Sequence, residues 1–282
     1  MSQQLRHLKT RIRSIEGTWK VTRAMEMVSM SKFKAIESPL HMGRAYFDKV
    51  KSLFESVASM ETTDNSLFMV KRTGPVGLVV ITADTGLCGI YNEHLLRMAE
   101  SFIKKQNGRE VKIYVYGRKG ASFFRKHGLP VEQAFPAFHG KLTGNFHEKV
   151  LGPVLEAFVQ KKVAEVHVAY TRFYNAMRHD AVIERFLHIE RPAEKNSNFI
   201  LEFGRDGILA ELLPLYLSSR FRLMMLESLT SEHSARMVAM RSAKDNAKEL
   251  MGDLILLRNK VRQAAITKEV IEIISSVEAL KG

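Results

Sequence analysis

One cysteine, Cys88, stands in 282 residues, so the chain can build neither an internal disulfide framework nor a cysteine-based metal site, and a reducing compartment fits. Long apolar runs are also missing. No stretch of about 18 apolar residues occurs, so nothing reads as a membrane span. The N-terminal MSQQLRHLKTRIRS lacks the apolar core of a signal peptide. It is basic and poor in acids, as a transit peptide would be, but Leu5, Leu8, Ile12 and Ile15 recur at the spacing of a packed helix, which favours a helix. Ten histidines are present without a single HxxxH or HxH pair, which argues against a metal site. There is no GxxxxGK[ST] and no GxGxxG. Cys88 has no evident His or Asn motif to activate it, and a packed small residue is the better reading. The sequence offers no catalytic constellation, and no cofactor or metal is expected.

What the sequence does have is positive charge and helical periodicity. Forty-three Lys and Arg against 30 Asp and Glu leave +13, with a pI near 9.8. Such a surplus suits an anionic partner: nucleic acid, a membrane surface or an acidic protein. Residues 1–34 carry eight Lys or Arg against two Glu, which is +6 in an eighth of the chain. Nucleic-acid binding calls for interleaved aromatics, and only Trp19 and Phe33 are at hand. A solvated helix face and an acidic protein surface moving past the helix fit equally well.

The chain divides into parts by hydrophobic period. Residues 1–58 read as a helix in which Leu5, Leu8, Ile12, Ile15, Trp19 and Thr22 alternate spacings of three and four, the seam of a coiled coil. Pro39 and Gly43 predict a kink or break. A linker at 59–75 follows. At the other end, 207–282 forms a second long helix. From Leu215 to Ala279 there is no proline and one glycine, Gly252. A strict three-four alternation runs through Leu226, Leu229, His233, Arg236, Met240, Ala243, Ala247, Leu250, Leu254, Leu257, Val261 and Ala264. Such a helix is about 98 Å long at 1.5 Å per residue, and its natural partner is the first helix. Its last turns remain apolar (Ile266, Val270, Ile271, Ile273, Ile274, Val277), beyond the reach of that partner. An apolar tip of this kind calls for a sleeve made of other chains.

Between the helices, 76–206 alternates strands with helices. Strands are expected at 77–82, 111–116, 131–135, 165–171 and 182–189, and helices at 91–106, 118–127 and 146–162. The last two strands lack a helix between them and predict a hairpin or edge pairing. The expected fold is therefore α/β: a long antiparallel coiled coil of the terminal helices plus a central Rossmann-like domain with a largely parallel sheet. The turn Ala83-Asp-Thr-Gly-Leu-Cys-Gly89 after the first strand has glycines that could bring backbone amides to a phosphate, but a tight strand-to-helix turn explains it better. Three functional classes stay open on these residues: a mechanical coiled-coil subunit, a nucleic-acid-binding coiled coil, and an enzyme using the α/β domain.

Several stretches together resemble the gamma subunit of F-type ATP synthases. They are Ile12 through Thr22-Arg-Ala-Met-Glu-Met-Val28 to Ser31-Lys32, Asp84-Thr-Gly-Leu-Cys-Gly-Ile-Tyr-Asn92, Ser231-Glu-His-Ser-Ala-Arg-Met-Val-Ala-Met-Arg-Ser-Ala-Lys-Asp-Asn246, and Asn259-Lys-Val-Arg-Gln-Ala-Ala-Ile-Thr-Lys-Glu269. They stand in family order over essentially the whole chain. The sequence departs from the family at Ser276-Val277, where Gly-Ala is usual. It departs again at Thr85 and Ile90, where a basic residue and a glycine are usual, and at Pro39 and Pro214, in regions usually helical.

The resemblance implies a non-catalytic rotor subunit of the central stalk, coupling c-ring rotation, driven by protons or sodium, to ATP synthesis or hydrolysis at the beta subunits. It implies a place among the alpha and beta subunits, with contacts to beta through Met25, Arg236, Arg262, Gln263 and Thr267. It implies an apolar bearing at Val270, Ile271, Ile274 and Val277, and a foot at Phe199, Ile200, Leu201 and Glu202 against the c-ring and epsilon subunit. No nucleic acid is expected. Membrane contact would run only through the c-ring, with the chain peripheral on the cytoplasmic face of a bacterial plasma membrane.

Overall fold

A computed structural model describes residues 2–59, 67–106, 108–136, 145–190 and 205–281. The elements run α1 (Ser2–Ala58), β1 (Val76–Ile81), α2 (Tyr91–Lys104), β2 (Val111–Tyr116), α3 (Arg118–Lys126), β3 (Val131–Phe135), α4 (Glu148–Val159), β4 (Glu165–Asn175), β5 (Arg178–Leu187) and α5 (Arg205–Lys281). The chain forms two compact units, one of Ser29–Arg236 and one of Met1–Val28 with Met237–Gly282.

In the first unit the strands stand in the order β3-β2-β1-β4-β5. The first four are mutually parallel and β5 is antiparallel to β4. The run Val-Gly-Leu-Val-Val-Ile is continuous rather than alternating because both faces of β1 are covered. Leu78 and Val80 point to one face, where they meet Leu95, Leu96 and Ala99 of α2 and Phe124 of α3. Val79 and Ile81 point to the other, into a larger core shared with α4, α1 and α5. The β4–β5 connection is the expected hairpin, closed by Asn175, whose Oδ1 accepts from the N–H groups of Met177 and Arg178 at 2.9 and 2.8 Å. β5 begins at Arg178 rather than 182. Its first residues, Arg-His-Asp, carry no strand signature and are held there by pairing with β4.

Residues 33–58 of α1 bury Phe33, Ile36, Leu40, Val50 and Phe54 in the core shared with Leu212, Leu213, Tyr216, Leu217, Phe221 and Met224 of α5. Phe54 stacks on Tyr216 at 4.3 Å. The expected break at Pro39 does not occur, since α1 is one helix through that residue, and α5 likewise continues through Pro214. Proline removes the bond to the Ala35 carbonyl, but Ala35 is exposed, so water can take that carbonyl. Ile36 and Leu40, 2% and 0% exposed, hold the helix on both sides of the proline. Gly43 has its own use there: a Cβ at that position would sit 3.2 Å from Leu226 Cδ1, so the missing side chain lets α1 and α5 approach.

In the second unit α1 and α5 pair as an antiparallel coiled coil. On α1 the expected seam is present. Leu8 and Thr22 are buried, and Leu5, Ile12, Ile15 and Trp19 are half-buried. On α5 the seam departs from the expected one at three positions toward its end. Met240, Ala247 and Leu254 are buried as expected, but Leu250 and Leu257 are 43% and 47% exposed, and Ala264 is exposed too. Met251, Arg258 and Ala265 turn inward instead. Glu26 occupies the α1 seam, where it accepts from Lys244 Nζ at 2.7 Å and Arg241 Nε at 2.9 Å. Those bonds hold its carboxyl below the usual range. Lys244, half-buried, lies along the seam on its methylene stem to reach Glu26.

Replacing Pro39 with alanine restores one helix bond and relieves the ring clash. We expect P39A to raise the unfolding free energy by about 1–3 kcal/mol, measured by urea denaturation followed by circular dichroism.

Candidate functional site

The sheet order reverses direction between β1 and β4, which are neighbours although two strands intervene in the chain. In open α/β sheets the crevice at such a switch point, beyond the carboxyl ends of the strands, is where ligands bind. Here α5 is built into it. The turn after β1 bends through Leu87 (φ 62°) and Gly89 (φ 57°). The carbonyls of Thr85 and Gly86 accept from Arg236 Nη2 and Nε, each at 3.1 Å. A phosphate site would present N–H groups; this turn presents carbonyl oxygens to a cation supplied by its own chain. Ala83, Cys88 and Tyr91 pack with Ala235 beside it.

β4 runs on past Ala169, its last residue paired with β1, and α5 hydroxyls take over there. Ser228 Oγ accepts from the Thr171 N–H at 3.2 Å, and Ser231 Oγ donates to the Thr171 carbonyl at 3.4 Å. Ser234 Oγ donates to the Ala176 carbonyl at 2.6 Å. The Tyr91 hydroxyl donates to the Ser228 carbonyl at 3.0 Å. Two acids of the same segment are buried and paired. Glu227 accepts from Arg44 Nη2 at 2.7 Å, and Arg44 also donates to the Phe173 carbonyl. Glu232 pairs with Arg236 at 2.8 Å.

Burial dominates the electrostatics here. It pushes both carboxyls up, against the lowering pull of Arg44 on Glu227 and Arg236 on Glu232. It pushes the Tyr91 phenol up, with the Glu232 charge adding to it. It pulls His233 down to about 3, helped by Arg236 and Lys32, so this imidazole is neutral.

Among the residues assigned by resemblance, Arg236 is 5% exposed, with its guanidinium on the Thr85 and Gly86 carbonyls. Met25 is half-buried, whereas Met27 is 62% exposed. Arg262, Gln263 and Thr267 are exposed on α5, with Thr267 Oγ1 donating to the Gln263 carbonyl at 3.0 Å. Val270, Ile271, Ile274 and Val277 are exposed as well, by 46–57%. Phe199, Ile200, Leu201 and Glu202 lie outside the described residues. Sequence reasoning missed the serine stripe and the pairs of Glu227 and Glu232. The signal was present: hydroxyl residues at 228, 231 and 234 share one helix face, and His233 and Arg236 stand in a seam that ought to be apolar.

The family whose profile matches residues 4–280 is described as ATP synthase. The ATP synthase gamma chain of Geobacter sp. strain M21 is 36% identical over 285 residues, covering 99% of each chain. That of Chloroflexus aurantiacus is 38% identical over 289 residues, covering 98% of each. The fold resembles a chain of the Euglena gracilis mitochondrial ATP synthase, solved as OSCP/F1/c-ring in rotational state 3. The TM-score is 0.72 at 16% identity, over 99% of this chain and 95% of that one. The chain belongs to the ATP synthase gamma chain family.

Two expectations follow from the buried segment. Arg236→Met strands the Glu232 carboxylate and should cost about 3–5 kcal/mol, whereas adding Glu232→Gln should cost much less than the sum, as measured by a urea double-mutant cycle. His233 is neutral when folded and titrates near 6.5 when unfolded, so its contribution is full above that value and declines as pH falls toward about 3. Between pH 7 and pH 5 the loss should be about 2 kcal/mol. Glu227 and Glu232, raised by burial, act in the opposite sense, so comparison with His233→Gln isolates the histidine. That variant should flatten the decline of melting temperature with acid.

Proposed function

We propose that this chain is the central-stalk rotor subunit of an F-type ATP synthase. It couples c-ring rotation, driven by protons or sodium, to ATP synthesis or hydrolysis at the beta subunits and performs no bond chemistry itself. The observation that carries the reading is the end of α5. From Ile266 to Glu278 every residue is exposed, and six of them, at 266, 270, 271, 273, 274 and 277, are large aliphatics exposed by 46–64%. A helix so apolar and so uncovered needs a surrounding surface. A ring of alternating alpha and beta subunits supplies one, with Val270, Ile271, Ile274 and Val277 as the bearing.

In this reading residues 1–58 and 207–282 are the shaft helices, 59–75 a linker and 76–206 the central domain. Arg262, Gln263 and Thr267 offer a guanidinium, an amide and a hydroxyl to a beta loop. Met25, with a flexible thioether side chain, suits contacts that change as the shaft turns. Arg236 acts through the carbonyl turn it fixes, as a positioning residue. Phe199, Ile200, Leu201 and Glu202 meet the c-ring and epsilon subunit, and the chain is peripheral on the cytoplasmic face of a bacterial plasma membrane. Coupling arises because the shaft contacts different conformations of beta with different free energies.

The test is co-expression with alpha and beta subunits of the same genome, purification through a tag on beta, and an ATPase assay. A stable complex much more active with this chain than without it is expected. Failure to co-purify would overturn the rotor reading, and co-purification without stimulation would overturn the coupling role. Within the active complex, Arg262→Ala with Gln263→Ala should lower ATP turnover at least tenfold, about 1.4 kcal/mol or more, while leaving assembly intact.

A further inference from the structure

Within the unit Ser29–Arg236, α1 and α5 lie in one apolar core with the sheet: Phe33, Ile36, Leu40 and Phe54 come from α1, and Leu217 and Phe221 from α5. Apolar contact resists separation but has no preferred direction. It does little to stop a helix from turning in its seat. α5 has directional bonds to the β4–β5 hairpin. Its Arg220 donates Nη2 to the Arg185 carbonyl at 2.9 Å and Nη1 to the Phe186 carbonyl at 3.5 Å, while Ser231 and Ser234 reach Thr171 and Ala176. α1 meets the same hairpin through Arg44.

Arg44 joins three elements at one point. Its Nε and Nη2 donate to Glu227 Oε1 of α5 at 3.1 and 2.7 Å, and Nη2 also donates to the Phe173 carbonyl of β4. The neighbouring residues make room for this. Gly43 precedes Arg44 and Leu226 precedes Glu227, and the missing Gly43 side chain lets the two helices approach there. Glu227 is 6% exposed. It falls two turns after Arg220 and two turns before Ser234, on the side of α5 that meets the hairpin. On α1, Phe33 stands three turns before Arg44. Its ring packs on the Phe173 ring with centroids 5.9 Å apart. One face of α1 therefore holds the end of β4 at two places. A guanidinium about 6 Å from the helix axis moves about 3 Å in a turn of about 30°, which is enough to break both bonds.

We propose, on the rotor reading, that Arg44 is a positioning residue that stops α1 from turning about its own axis, so that α1, α5 and the sheet rotate as one body under load. It touches no reacting group. The planar guanidinium fork holds a carboxylate and a carbonyl at once in fixed geometry, which the single ammonium of a lysine does not reproduce.

The test uses the complex with alpha and beta subunits. A bead is attached through Lys126→Cys, exposed on α3, while Cys88 is 2% exposed and stays unlabelled. With ATP withheld the ring holds the shaft, and the width of the bead's angular fluctuations reports the stiffness between the α/β domain and the shaft. Arg44→Met with Glu227→Gln removes the tie without stranding a buried carboxylate. The angular variance should then rise at least about twofold, as directional bonds give way to apolar contact. Arg44→Lys should give an intermediate variance. Leu96→Ala, in the core on the opposite face of the sheet, should lower the melting temperature yet leave the variance unchanged. An assembled double variant with unaltered variance would overturn the proposal, and so would a Leu96→Ala complex that fluctuates as widely as the double variant. Failure of the unaltered chain to enter the ring would overturn the rotor reading and this role with it.

Discussion

The structure depends on the burial of a polar helix segment. Residues 224–236 of α5 are closed in on every side, yet eight of the thirteen carry hydroxyl, carboxyl, imidazole or guanidinium groups. A helix surrounded by protein is ordinarily apolar all round. This one works because the fold brings it matching groups: an interrupted sheet edge for its serines, Arg44 for Glu227, and a turn of carbonyls for Arg236. Buried polar groups are tolerated when satisfied and expensive when not. The arrangement therefore specifies how α5 lies against the sheet more sharply than a layer of leucines would.

The same segment explains why a doubly wound sheet carries no recognisable ligand motif. The crevice at the strand reversal is the place such folds usually keep for a substrate or cofactor. Here it is occupied by a helix of the same chain, and the turn that elsewhere cradles phosphate with amides has its carbonyls turned to a guanidinium. The sheet keeps the layout of a ligand-binding fold while its switch point holds a permanent intramolecular occupant.

Most of the architecture was legible in the sequence, for physical reasons. Strands buried on both faces read as unbroken aliphatic runs, and the long helices announce themselves by spacing and by the scarcity of glycine. What was not legible depended on interactions between distant residues. Pro39 reads as a break because its neighbours in space are invisible in the sequence. The α5 seam reads through Leu250 and Leu257 because leucine is the apolar choice, yet both are exposed, and Lys244 lies inward to meet Glu26, some two hundred residues away. The resemblance singles out Arg236, but nothing in the sequence shows the carbonyl turn that receives it. Glu227 and Glu232 were passed over because a buried acid cannot be told from an exposed one without its partner.

The serines that complete the end of β4 have a mechanical meaning. A slip of one residue along α5 would turn each side chain by about 100°. Ser228, Ser231 and Ser234 would leave Thr171 and Ala176, and Arg236 would leave the Thr85 and Gly86 carbonyls. Apolar residues such as Leu229 would face those groups instead, and no intermediate angle satisfies them. The helix is thus keyed to its sheet like a splined rod in a hub: a twist on one reaches the other with little play, whereas a smooth greasy contact would let it turn in place.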